Sequence, residues 1–150
     1  MSFEAKLKEK GYVIEPIELN VGRFMHAVRT GNLVYTSGQV SKWGDQVMQG
    51  KVGRDLTIEE GYEAARMSAL SCLAAIKTLV GSLDNIVRVV KVLGMVNVAP
   101  DFDKTPEVIH GCSDLLIEVF GEAGRHARSA VGMTIPHNWA VEVEMIVEVK

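Results

Sequence analysis

Arg128, Glu142, Glu144 and Glu148 all fall within one stretch, RHARSAVGMTIPHNWAVEVEMIVEV, at 125–149. A guanidinium can hold a carboxylate through two parallel hydrogen bonds. A carboxylate beside it can orient water or move a proton. The stretch reads as two strands joined by a tight loop at 136–140. In the last strand Val141, Val143, Met145, Val147 and Val149 point one way, and Ala140, Glu142, Glu144, Ile146 and Glu148 the other. In the strand before it, Ser129, Val131, Met133 and Ile135 form the more apolar set, and Arg128, Ala130, Gly132 and Thr134 the alternate one. Matching the apolar faces sets Ile135 opposite Val141, Arg128 opposite Glu148 and Thr134 opposite Glu142. The charged face then has three readings: a wet surface, a set of ion pairs, or the lining of a site. An Arg128–Glu148 cross-strand pair would contribute about 0.2–1 kcal/mol. In this register Arg128 and Glu142 stand roughly 20 Å apart along the strands. A site that uses both must therefore lie between subunits.

Two histidines can also work near neutral pH, His26 and His110, although neither has an evident partner in the sequence. Ser37 is either a polar site group or a turn residue. Cys72 and Cys112 sit at apolar positions of expected helices, outside any metal-binding spacing, and read as buried free thiols. The chain has 150 residues, 47% of them hydrophobic, enough for one domain with its own core. Its net charge of −3 gives no basis for phosphate binding, so nucleic acid is not an expected partner. No apolar run approaches a membrane span. The opening MSFEAKLKEK lacks an apolar leader core, and a cytoplasmic location is expected.

The elements that would carry these residues can be read in order. Ser2 caps a short helix that ends near Gly11, and residues 1–20 form this helix and an extended lead-in. RFMHAVRT and LVYTSG flank Gly31-Asn32, a two-residue loop suited to a type II′ hairpin. Residues 38–55 read as a loop. TIEE at 57–60 is a capping box, opening a helix to about Val80 that stops near Gly81. NIVRVVKVLGMVNV at 85–98 is β-branched and reads as a central strand. Thr105 caps a second helix, with Pro106 at its first position, ending near Phe120-Gly121. The order β-β-α-β-α-β-β predicts an α+β fold, a mixed sheet with both helices on one face. The bare face predicts an oligomer.

Three blocks in order, TSGQV (36–40), ARSAV (127–131) and IP followed by VEVE (135–144), resemble the Rid/YjgF family, also described as endoribonuclease L-PSP-like or translation-inhibitor-like. The resemblance runs from about Gly22 to the end. GKVGRDLT (50–57) and FGEAGRHARSAVG (120–132) are similar to its longer-chain branch. It implies a chorismate-mutase-like fold over the whole of 1–150, a homotrimer with clefts between subunits, and no metal or organic cofactor. It implies hydrolysis of enamines and imines such as 2-aminoacrylate to 2-keto acids and ammonia. The alternatives are a non-catalytic binder of small carboxylates and, last, an endoribonuclease or translation inhibitor. By position in the motifs, Arg128 would clamp the carboxylate and Glu142 handle water. Ser37, Gly38, Ala130, Phe24 and His110 would line the cleft. Ala130 stands where the family often has cysteine, Phe24 where tyrosine is common, and His110 where asparagine is frequent. The segment from Arg128 to Pro136 is one residue shorter than usual.

Overall fold

The computed structural model describes all 150 residues. A first helix, α1 (Phe3–Glu9), has Ser2 as its N-cap, the hydroxyl accepting from the Ala5 N–H. After an extended lead-in, β1 (Ala27–Thr30) and β2 (Leu33–Thr36) form the expected hairpin, with Gly31 at φ 57° in its two-residue loop. Residues 38–55 are more structured than the sequence suggests. They contain three two-residue strands, β3 (Gln39–Val40), β4 (Lys42–Trp43) and β5 (Gln46–Val47). The long helix α2 (Ile58–Val80) opens on the predicted capping box, Thr57 with Glu60, and stops at Gly81, φ 91°. Next come β6 (Ile86–Asn97), α3 (Thr105–Phe120), β7 (Ala127–Met133) and β8 (Val141–Val149). Thr105 does not cap α3. Lys104 holds that position, and the Thr105 hydroxyl donates instead to the Ala130 carbonyl at 3.0 Å.

The main sheet runs β1-β2-β8-β6-β7, with β3 also on β8. β8 is antiparallel to β2, β3 and β6, while β7 is parallel to β6. The expected final hairpin is therefore not formed, because β6 lies between β7 and β8. Arg128 aligns with Val92, which aligns with Met145. Glu148 aligns with Leu33 and Arg88 instead, far from Arg128, so the Arg128–Glu148 pair does not exist. Glu142 aligns with Met95 and Val40 rather than with Thr134.

Both long helices pack on one sheet face. The odd-numbered residues of β8, Val141 to Val149, are all buried there, as their alternation predicts. Cys72 and Cys112 are free and fully buried in the same core. Burial raises both thiols, Cys112 to about 12, so neither is an available nucleophile. The other face is uncovered and exposes Val28, Tyr35, Val131 and Met133. No helix is long and apolar enough to cross a membrane.

The helices meet closely at Gly111, where an added Cβ would stand 2.0 Å from the Tyr62 carbonyl oxygen. Glycine to alanine inside a helix ordinarily gains about 0.5–1 kcal/mol. Here the sign reverses, because α2 and α3 must part to admit one methyl group. Gly111→Ala should destabilise the fold by about 1–3 kcal/mol in a denaturant titration. A gain in stability would show that this helix contact yields easily.

Candidate functional site

The candidate residues gather into two clusters on opposite faces of the sheet. The first is built on β7 and α3, on the helix side. Arg128 projects from the edge strand toward α3, where His110 and Ser113 lie one turn apart on the same side. Its Nη1 donates to His110 Nδ1 at 3.0 Å and to Ser113 Oγ at 3.2 Å. Ala130 follows two residues on, aligned with Gly94 on the same face. The space for the arginine comes from small residues. A Cβ at Gly94 would meet Ile109 at 2.6 Å, and one at Gly132 would meet Val98 at 3.0 Å, so strand and helix approach closely past Arg128.

No carboxylate of the chain forms an ion pair with Arg128; the paired arginines are Arg54, Arg66 and Arg125. Arg128 is half-buried, and its Nε and Nη2 make no hydrogen bond. A guanidinium with its fork free and its far nitrogen anchored is prepared for a planar anion.

The second cluster lies at the junction of β2, β3 and β8. The pairing of 33–40 with β8 slips by one residue across Ser37-Gly38, a β-bulge. The Thr36 hydroxyl accepts from the Met145 N–H at 3.1 Å as the ladder is interrupted. At the bulge the Glu142 carboxylate lies directly on Gly38; a Cβ at that position would be 2.1 Å from Glu142 Oε2. Burial first, and then the charge of Glu144, push the Glu142 carboxyl above the usual carboxylate range. Ser37 Oγ donates to the Met25 carbonyl at 2.6 Å, so it is held as a turn residue. His26 Nδ1 accepts from Gln39 Nε2 at 3.1 Å, and its ring meets Phe24 edge-on at 5.8 Å. Phe24 itself is exposed. A groove of about 500 Å³ opens on the α2 side of β3, lined in part by His26, Gln39, Lys42, Trp43 and, from α2, Ser71 and Ala74; Glu142 does not line it.

Arg128 and Glu142 thus belong to different faces, and three rungs separate them along the sheet. They cannot meet within one subunit. A site using both would need them from different subunits; the ground is their opposite faces and not the hairpin register expected from the sequence. Glu144 is exposed beside Glu142. His126 is a group the sequence reading missed. Its Nε2 is 2.9 Å from Ser113 Oγ and its Nδ1 is 2.6 Å from the Gly124 carbonyl oxygen. The signal was present, since His126 stands two residues before Arg128, just ahead of β7, and His110 and Ser113 share one helix face. It was hidden because these two pairs come from elements whose packing no local pattern reveals.

A family model described as YjgF/chorismate mutase-like, putative endoribonuclease, matches residues 4–149. Protein TCP17 of Trypanosoma cruzi is 38% identical over 147 residues, covering 96% of this chain and 92% of its own length. A Shewanella oneidensis protein described as a putative endoribonuclease superposes with a TM-score of 0.92 at 31% identity, over 99% of this chain and 100% of that one. Escherichia coli TdcF, solved with bound serine, shares the fold at a TM-score of 0.58 and 21% identity, over 87% of this chain and 91% of its own. With one model spanning nearly every residue and a relative matched over its length, the chain belongs to the YjgF/chorismate mutase-like family.

Proposed function

We propose that this protein hydrolyses reactive enamine and imine intermediates of 2-amino acids, of the 2-aminoacrylate type, to 2-keto acids and ammonia. The sites would be clefts between subunits of a homotrimer. The observation that carries the reading is Arg128, a half-buried arginine with no anionic partner and an unoccupied Nε–Nη2 edge. In the proposed cleft that edge takes the substrate carboxylate and fixes the substrate plane. Glu142 comes from the neighbouring subunit, because its own subunit turns it to the other face. Its carboxylate orients the attacking water, takes a proton from it as the C–O bond forms, and returns that proton to the departing ammonia as the C–N bond breaks. Phe24, Ser37 and Gly38 would border the Glu142 half of the cleft, and His110 and Ala130 the Arg128 half. The uncovered sheet face with Val28, Tyr35, Val131 and Met133 supports an oligomer. That TdcF, of the same fold, is seen with serine supports a small amino-acid-like ligand.

A second reading, a non-catalytic binder of small carboxylates, is favoured by Ala130, which supplies no thiol, and by Phe24, which supplies no hydroxyl. RNA cleavage ranks behind both. The chain's net charge of −3 offers phosphate no long-range attraction.

The test couples an amino-acid oxidase, which generates a 2-imino acid in place, to semicarbazide trapping of what remains. The native protein should accelerate imine loss, and Arg128→Ala should lower kcat/KM by about 10- to 100-fold, the loss of a charge-assisted bidentate contact. If 2-keto acids bind through Arg128 yet imine loss is not accelerated, the binder reading takes over.

The elevated Glu142 carboxyl gives a pH signature. Hydrolysis that uses its ionised form should fall as pH drops through that raised value. Glu144→Gln removes the neighbouring negative charge and lowers the Glu142 value, so the acidic limb of the profile should move to lower pH. A limb that stays in place, or moves upward, contradicts the role of Glu142.

Gly38→Ala should act like Glu142→Gln on turnover, because its methyl group displaces the carboxylate. It should leave 2-keto acid affinity within about twofold, since the arginine clamp is built elsewhere. Equal turnover in Gly38→Ala and native protein would show that the Glu142 position is unimportant.

A further inference from the structure

The polar groups behind Arg128 leave little freedom in where their protons sit. The Gly124 carbonyl can only accept, so His126 Nδ1, 2.6 Å away, is the donor. Burial lowers the pKa of His126, which favours the neutral ring. Its Nε2 is then a lone pair. Ser113 Oγ, 2.9 Å from that nitrogen, must spend its only proton on it. The same oxygen is left as an acceptor, and Arg128 Nη1 donates to it at 3.2 Å. The second Nη1 hydrogen goes to His110 Nδ1 at 3.0 Å. Both hydrogens of Nη1 are thereby used on the α3 side. Ser113 is only 9% exposed, so water competes little for its oxygen.

We propose that Ser113 and His126 are positioning residues for Arg128. With the Gly124 carbonyl they form a one-way hydrogen-bond chain that locks Nη1 toward α3 and leaves the Nε–Nη2 edge for the anion. This rests on Arg128 as the carboxylate clamp. An arginine without the chain can rotate about its terminal torsions and offers its fork only part of the time. The chain converts a flexible cation into a fixed receptor, with the ordering cost met in folding instead of at binding. Neither residue touches the substrate in this arrangement.

The test compares Ser113→Ala, His126→Asn and His126→Gln with the native protein and with Arg128→Ala. Glutamine reaches the place of Nε2 and can accept from Ser113 through its amide oxygen. Asparagine reaches only the place of Nδ1. The first readout is NMR of the Arg128 side chain, following rotation about the Cζ–Nη1 bond without ligand. Ser113→Ala and His126→Asn should speed that rotation by about tenfold, and His126→Gln should restore it to within about twofold. The second readout is the affinity for pyruvate, used as the probe, together with KM and kcat for imine loss. In Ser113→Ala and His126→Asn the pyruvate Kd and the KM should rise about fivefold, with kcat nearly unchanged. If Ser113→Ala does not fold, the His126 pair carries the comparison by itself. Unchanged Arg128 rotation in the folded variants overturns the positioning role, even where Arg128→Ala abolishes pyruvate binding. Absence of pyruvate binding in the native protein, with no change in Arg128→Ala, removes the clamp and the proposal with it.

Discussion

The ladder between β6 and β8 is the constraint on which the rest of the molecule depends. It is the longest pairing in the sheet, and it places the buried valines of β8 beneath α2 and α3. It also decides where every charged group goes. Arg128 aligns with Val92, and Val92 with the buried Met145, while Glu142 aligns with Met95 one face over, so the two glutamates of VEVE point away from the helices and Arg128 points toward α3. A sheet in which β7 paired with β8 would have joined Arg128 and the glutamates on one face. The central insertion of β6 keeps the cation and the carboxylates apart.

That separation has an electrostatic side. Arg128 paired with Glu148 would have been neutralised, and its fork filled by its own chain. Instead it rests on neutral groups, a histidine nitrogen and a serine oxygen. Neutral acceptors hold a guanidinium in place without cancelling its charge. Glu142 faces the converse situation. Burial, and then the neighbouring Glu144 carboxylate, disfavour its ionised form. One half of the arrangement keeps an unspent positive charge, and the other keeps a carboxyl that readily takes a proton.

Much of the architecture could be read from local pattern. The capping box at Thr57, the stop at Gly81, the two-residue loop at Gly31-Asn32 and the alternation of β8 each depend on neighbours within a few residues. The partner of β7 could not be read this way. The short connection from Met133 to Val141 imitates a hairpin, and alternation shows which residues share a face without showing which strand lies beside them. The face of β7 was also inverted. Val131 and Met133 look like core residues but are exposed, while the helix face carries Ala130, Gly132 and Arg128. An edge strand crowded by α3 needs small residues inward, and hydrophobicity alone reports the opposite. Thr105 misled in the same way, since a side chain fit for capping was drawn instead to the Ala130 carbonyl. The Ser113–His126 link depends on the docking of α3 against β7, which no periodicity encodes.

The opposite-face placement of Arg128 and Glu142 has a genetic consequence on the shared-cleft proposal. Each subunit then carries two unlike half-sites, and a defect in one half leaves the other usable by a neighbour. A cell carrying one allele without the arginine and another without the glutamate would assemble mixed trimers, some of whose clefts join two intact halves. With random assembly about a quarter of the clefts would be whole, although neither allele alone makes any. Two alleles defective at different positions would complement one another in part.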